Sequence, residues 1–321
     1  MDITLNLLML CVGFILLMEG PEHLLEGTAS LAKKYRLSEI TIGLSLVAFT
    51  TSVPELTVSL IAHFYGDSSL LFANLIGSNT FNTMIILGCS ALFTPILVKS
   101  KNAWRDIPFS LLVVGTLFFI VNDNLFFLEE ENILSGLDAF LLLALFFIFL
   151  AYLSANQPED NELVIHEVKS LPAFDIFNDI IRGTITVSAG GYLVITQLLF
   201  LSEYIGKSSE FIAIFILAVG TSLPEVATAY TAIRRKRPDI IVSNITGANI
   251  YNLTFSLALT RVIGEVKYPT FLNIDMTMTL ISTVILFLFI HSSKRKVFGR
   301  IGGIAMLLLF GMYAYYVVIR G

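Results

Sequence analysis

Long apolar runs alternate with short polar breaks along this chain, and few of the runs carry the polar face that a surface helix of a soluble protein needs. The runs extend for roughly 20 residues, the length a helix needs to cross about 30 Å of hydrocarbon. Over 139–155, 276–293 and 301–319 there is no Asp, Glu, Lys or Arg. Hydropathy predicts ten spans, near 3–25, 38–63, 69–97, 106–122, 132–154, 181–201, 209–233, 239–262, 271–291 and 300–319. Asp138 and Asp275 fall close to span ends, where an interfacial carboxylate is expected. The longest polar interruption, about 156–180, contains Glu159, Asp160, Glu162 and Glu167 and divides the spans into two sets of five. The expected class is an all-α integral membrane protein.

Composition agrees. Of 321 residues, 55% are hydrophobic and 14% charged, against about 25% charged in an average soluble protein. Cys11 and Cys89 both sit in apolar segments and read as small buried hydrophobes, neither a disulfide nor a metal site. The first 18 residues lack a basic leader and run straight into Glu19, which fits a first spanning helix better than a cleaved signal. With the N-terminus outside, the loops facing the cytoplasm carry 16 of the 20 Lys and Arg, leaving Lys207, Arg261, Lys267 and Arg320 opposite. The positive-inside rule therefore predicts both termini outside the cell membrane and an acidic cytoplasmic linker at 156–180.

Sliding the sequence by 170 residues aligns two blocks without a gap. IGLSLVAFTTSVPELTVSLIA and ANLIGSNTFN fall on IAIFILAVGTSLPEVATAYTA and SNITGANIYN, so Glu55 meets Glu225, Asn79 meets Asn249 and Asn82 meets Asn252. The chain thus divides into a first five-helix repeat, 1–155 with its signature at 42–88, and a second, 181–321 with its signature at 212–258. Five is odd, so the second copy is expected to enter the membrane inverted, as in many secondary transporters.

Each copy places one carboxylate, Glu55 or Glu225, deep in an apolar span, where a charge is costly and functional by default. A pseudo-two-fold axis would bring the two face to face, and two such anions repel unless something positive lies between them. Pro54 and Pro224 precede the carboxylates and leave the carbonyls of Thr50 and Gly220 without their helical partner. Backbone kinked or unwound at these points, with the hydroxyls of Thr51, Ser52, Thr221 and Ser222, offers oxygen ligands. Ser78, Asn82 and Asn252 come from the next element of each copy. Asn74, Asn79, Asn244 and Asn249 fit either the same role or glue between helices. A donor set of oxygens alone suits a hard cation; Ca²⁺ accepts roughly six to eight. No His or Cys lies in it, which disfavours softer metals. His23, His63, His166 and His291 fall near span ends or in the central loop.

The paired TSVPE and GTSLPE strings, each followed by a G-[SA]-N-x-x-N helix, resemble the two α-repeats of the sodium/calcium exchanger superfamily, over essentially the whole chain. The compact size, without a large central domain, resembles the prokaryotic type. The resemblance implies antiport by alternating access, with Ca²⁺ between Glu55 and Glu225 and the carbonyls of Thr51 and Thr221 completing its site. It implies a monovalent counter-ion, Na⁺ or in some branches H⁺, at positions involving Ala48, Ser52, Ser78 and Asn82, with Ala218, Ser222 and Asn252. It further implies that long, tilted first and sixth helices slide across the bundle. The chain departs from the pattern at Thr50, where glycine is usual, at Ala248, where serine is common, and at Asn252, where some branches carry Asp. The last departure disfavours K⁺ dependence, and the absence of a G-N-x-x-E motif favours Na⁺ over H⁺. No resident cofactor, nucleic acid or obligate protein partner is expected; the partners are the two ions and the bilayer. A passive cation channel and an intramembrane enzyme are the readings from other classes. The proline-broken, facing carboxylates fit occlusion better than an open pore, and no Ser/His or His-rich motif accompanies them.

Overall fold

The fold is that of a computed structural model, which describes residues 3–320 apart from 35–38, 99, 128–130, 156–170, 235, 237 and 294–295. Most of the expected acidic linker, and Arg36, Lys99, Arg235, Arg237, Lys294 and Arg295 of the basic loops, lie outside the described residues.

Helix α1 (Ile3–Lys34) leads to α2 (Glu39–Phe64), and α3 (Ser68–Phe81) runs through a π-helical turn, Asn82–Ile86, into α4 (Leu87–Phe93). Strand β1 (Ile96–Leu97), α5 (Ser100–Ile120), the short α6 (Asp123–Phe127), β2 (Ile133–Leu134) and α7 (Gly136–Ala155) follow. After α8 (Ala173–Ile205) come α9 (Ser209–Ile212), a second π turn (Ala213–Leu217) and α10 (Ala218–Thr221). A bend of 43° separates Ser209–Thr221 from α11 (Leu223–Arg234). Then α12 (Asp239–Tyr251) passes through a third π turn, Asn252–Ser256, into α13 (Leu257–Ile263), followed by β3 (Val266–Lys267), α14 (Asn273–Ser292), β4 (Val297–Phe298) and α15 (Arg300–Arg320).

Among the described residues, six of these helical stretches are long and apolar enough to cross a membrane, and the bent pair, taken as one span, makes a seventh. The expected spans at 38–63, 106–122 and 239–262 also coincide with helices, namely α2, α5 and the α12–α13 stretch. The π turns at Asn82 and Asn252 stand at the same 170-residue offset as the repeated motifs. One stretch is central: 89% of the apolar window in Ser68–Phe93 is buried, against 28% in those of α1, α7 and α15. The outer helices therefore turn apolar side chains outward, as a lipid solvent requires.

Local chemistry sets several boundaries. Asp67 caps α3 by accepting from the Leu70 amide at 2.8 Å, and Ser208 caps α9 by accepting from Phe211 at 3.3 Å. Gly206 ends α8 in the left-handed region, φ 69°, where glycine pays no Cβ penalty. Strands β1 and β4 pair antiparallel, as do β2 and β3. Tyr268 adds a bond from its amide to the Asn132 carbonyl at 2.8 Å.

Helices α1 and α8 have 32 and 33 residues, about 48 Å at 1.5 Å per residue, so each overreaches a hydrocarbon core of about 30 Å. They pack backbone to backbone along a glycine seam. A Cβ on Gly20 would lie 2.8 Å from the Val187 nitrogen, on Gly183 2.8 Å from the Leu24 nitrogen, and on Gly190 2.9 Å from the Gly13 carbonyl. Such small residues let membrane helices approach closely. Polar contacts close both ends of the seam. The Asn6 amide donates to the Gln197 side chain at 2.9 Å, and His23 Nδ1 stands 4.0 Å from an Asp179 oxygen.

Asp275 does stand at a helix end, in the first turn of α14, but it is covered by protein there. It is fully buried, accepts from the Tyr313 hydroxyl at 2.7 Å and pairs with both guanidinium nitrogens of Arg320. The physical reason is that α15 brings a phenol and a guanidinium to the first turn of α14. Asp138 does behave as a helix-end carboxylate, accepting from the Ser135 amide at 2.7 Å.

Candidate functional site

The backbone around the two glutamates differs between the halves. Helix α2 continues through Pro54 without a break, contrary to the expected opening there. In the second half Ser222 leaves the helical region, at φ −84° and ψ 7°, between α10 and α11. The chemical difference lies at the residue four before each proline: Thr50 in the first half and Gly220 in the second. Glycine is disfavoured inside a helix by about 1 kcal/mol, so the chain gives way at the second proline. Gly220 also receives the ring of Phe14 from α1, leaving no room for a Cβ.

Glu55 lies on α2 and Glu225 in the first turn of α11. Both are fully buried, and none of their four carboxylate oxygens has a hydrogen-bond partner. Glu225 and the hydroxyls of Thr221 and Ser222 lie within electrostatic reach of Glu55, and that of Thr51 within reach of Glu225. The two carboxylates thus share one interior region with the hydroxyls that follow the repeated motif. The Oγ atoms of Ser52 and Ser222 are buried and unpartnered as well.

The second motif wraps this region. Asn74 donates to the Glu55 backbone carbonyl at 3.2 Å and to Ser59 Oγ at 3.2 Å. Ser78 Oγ lies 3.2 Å from Thr221 Oγ1, and Thr221 donates to the Leu217 carbonyl at 3.1 Å. Ala218 packs on Gly77, where a Cβ would meet the Ala218 methyl at 3.0 Å. Asn82 and Asn252 each open a π turn, a distortion that recurs at functional sites. Both are buried, and their Oδ1 atoms have no partner. Of the expected site residues, Glu55, Glu225, Thr51, Thr221, Ser52, Ser222, Ser78, Asn82, Asn252 and Ala218 are all buried. Ala48 lies within α2, with its side chain outside the described residues.

Asn79 and Asn249, equivocal in the sequence, are bonded across the halves. Asn79 Nδ2 donates to the Asn249 carbonyl at 3.0 Å, and Asn249 Nδ2 donates to the Asn79 carbonyl at 3.5 Å. Their recurrence at the common offset was the available signal. Thr83, which accepts from Asn249 Nδ2 at 2.9 Å, has no repeat counterpart and gave none. Among the described residues no group of three or more His, Cys, Asp or Glu is placed to hold a metal. The donors gathered here are two carboxylates and neutral oxygens, the set that hard cations prefer.

The family model described as "Sodium/calcium exchanger protein" matches residues 5–155 and 180–319. The putative antiporter CaxA of Alkalimonas amylolytica is 28% identical over 312 residues, covering 95% of this chain and 96% of that protein. The sodium/calcium exchanger MaX1 of Methanosarcina acetivorans is 28% identical over 291 residues, covering 80% and 83%. Among solved structures, the sodium-calcium exchanger NCX_Mj superposes with a TM-score of 0.65 at 27% identity, over 97% of this chain and 98% of that one. With a family match over nearly the whole chain and a shared fold, this protein is a multi-pass integral membrane transport protein belonging to the sodium/calcium exchanger family.

Proposed function

We propose that this protein is a secondary antiporter that exchanges Ca²⁺ for Na⁺ across the cell membrane by alternating access, without a resident cofactor. Its ten membrane-crossing segments form two inverted repeats of five, 1–155 and 181–321, joined by a cytoplasmic linker, with both termini outside. The observation that carries this is the pair of buried, unpartnered carboxylates of Glu55 and Glu225, ringed by equally unpartnered serine and asparagine oxygens.

An ionised carboxylate in a low-dielectric interior is tolerated only with a counter-charge or a proton. One divalent cation between two carboxylates neutralises both, and the carbonyls of Thr51 and Thr221 complete its shell. Two or more Na⁺ ions meet the same demand at Ala48, Ser52, Ser78 and Asn82, with Ala218, Ser222 and Asn252. Because the carboxylates cannot stay buried and bare, the site passes from one side to the other only when loaded, which is the condition for coupled exchange. The α1–α8 pair, longer than the bilayer is thick and fused along its glycine seam, is the element that slides.

The test is uptake of radiolabelled Ca²⁺ by proteoliposomes under an outward Na⁺ gradient, with a pH gradient as the parallel arm. Accumulation driven by Na⁺ supports the proposal; accumulation driven only by pH replaces Na⁺ with H⁺. Uptake that merely equilibrates Ca²⁺ identifies a channel and sinks antiport. Glu55→Gln and Glu225→Gln each remove one of the two charges and are expected to abolish Ca²⁺ binding while the chain stays folded.

A further inference from the structure

Asn82 and Asn252 present unpartnered oxygens, yet a primary amide has two dissimilar ends: an oxygen that accepts and an NH₂ that only donates. A cation site tolerates the first and is repelled by the second. Something must therefore decide which end faces inward.

The hydrogen bonds trace that decision to the main chain. A backbone carbonyl only accepts, so the Asn249 carbonyl fixes the Asn79 amide with its nitrogen toward it, at 3.0 Å. The Asn79 Oδ1 is thereby turned the other way, where it accepts from Asn252 Nδ2 at 3.2 Å. With its nitrogen committed, Asn252 has its oxygen left over. The mirror sequence runs through the other half. The Asn79 carbonyl and Thr83 Oγ1 take Asn249 Nδ2, at 3.5 and 2.9 Å. Asn249 Oδ1 then accepts from Asn82 Nδ2 at 3.1 Å, and the Asn82 oxygen is left over. All four asparagines are buried, so a flipped amide would leave a buried donor facing a donor.

We infer that Asn79 and Asn249 are positioning residues that hold the amides of Asn252 and Asn82 oxygen-inward, so that the site shows a cation acceptors only. They touch no ion themselves; they act through the next asparagine. The inference rests on the proposed role of Asn82 and Asn252 as ion ligands. It gives the two interhelical bonds a purpose beyond cohesion.

A carboxylate has no wrong end, and this supplies the test. In the full-length chain in detergent, Ca²⁺ bound at equilibrium is titrated with Na⁺, and the half-displacing Na⁺ concentration is read. Asn249→Ala is expected to raise it about threefold or more: one charged contact is worth about tenfold in that ion's binding, and with two Na⁺ displacing each Ca²⁺ the concentration moves as the square root. In a chain already carrying Asn82→Asp, adding Asn249→Ala is expected to change it less than about twofold, because either oxygen of the carboxylate serves. Equal losses in both backgrounds would assign Asn249 to packing alone and overturn the inference, as would no loss in either. Should Asn249→Ala fail to fold, Asn79→Ala with Asn252→Asp poses the same question from the other half. Glu55→Gln separates the two levels of the proposal. Retained Ca²⁺ binding there rejects the site itself, whereas lost binding there with an unaffected Asn249→Ala rejects only the positioning role.

Discussion

Gly220→Ala adds a single methyl group inside α10, two residues before the break at Ser222, and the structure says what that methyl would meet. It would stand 2.0, 2.2 and 2.6 Å from Cε1, Cζ and Cδ1 of Phe14. Carbon atoms at rest are about 3.5–4.0 Å apart, so the ring must withdraw by roughly 1.5 Å. The obstacle is the far end of a side chain and not backbone, so the cost is that of overpacking, about 1–3 kcal/mol. The measurement is the thermal midpoint of the purified chain in detergent, for Gly220→Ala, Phe14→Ala and the two combined. A chain of 321 residues moves by about 2 °C per kcal/mol, at the foot of the range for 150–250 residues, so Gly220→Ala is expected to lower the midpoint by roughly 2–6 °C. In the Phe14→Ala chain the same methyl enters vacated space, and the drop is expected to vanish. It can turn into a small gain, since alanine is the better helix former by about 1 kcal/mol. Equal drops in both backgrounds would mean that the glycine serves the backbone break and not the ring, and the steric argument would be wrong.

Other perturbations follow from the packing. Arg320→Ala leaves the Asp275 carboxylate buried without its cation and is expected to destabilise by about 3–5 kcal/mol. Tyr313→Phe removes one hydrogen bond to the same group and is expected to cost about 1–3 kcal/mol. The two midpoints compared in one detergent check the order, and a reversed order would contradict the pairing. Gly183→Val places a branched side chain against the backbone of Leu24 and Gly20 and is expected to spread α1 from α8. A disulfide-trapping pair across the seam reads the separation, and unchanged trapping would deny the close contact.

Hydropathy located every long helical stretch, because a bilayer demands length and apolarity that few other constraints imitate. The internal repeat pointed to the candidate site, because Glu55 and Glu225 recur at one offset together with their Thr-Ser-x-Pro flanks and the asparagines that follow. What stayed hidden depended on partners distant in the chain. The partners of Asp275 could not be read from its position, because Arg320 and Tyr313 lie 45 and 38 residues away. Pro54 and Pro224 looked equivalent, yet the helix breaks only before the second, at Ser222, two residues after Gly220 and the Phe14 ring lodged against it. The four two-residue strands are too short to leave any periodic trace.

Those strands have a consequence for how the molecule holds together. Each small sheet takes one strand from either half, β1 with β4 and β2 with β3. Asn79 and Asn249 likewise exchange bonds, residue for residue, as the two faces of an isologous dimer do. If the two halves behave as a pair of subunits, their covalent connection need only keep them at high effective concentration. A chain severed between residues 155 and 173 is therefore expected to assemble from its two pieces when both are made in one membrane.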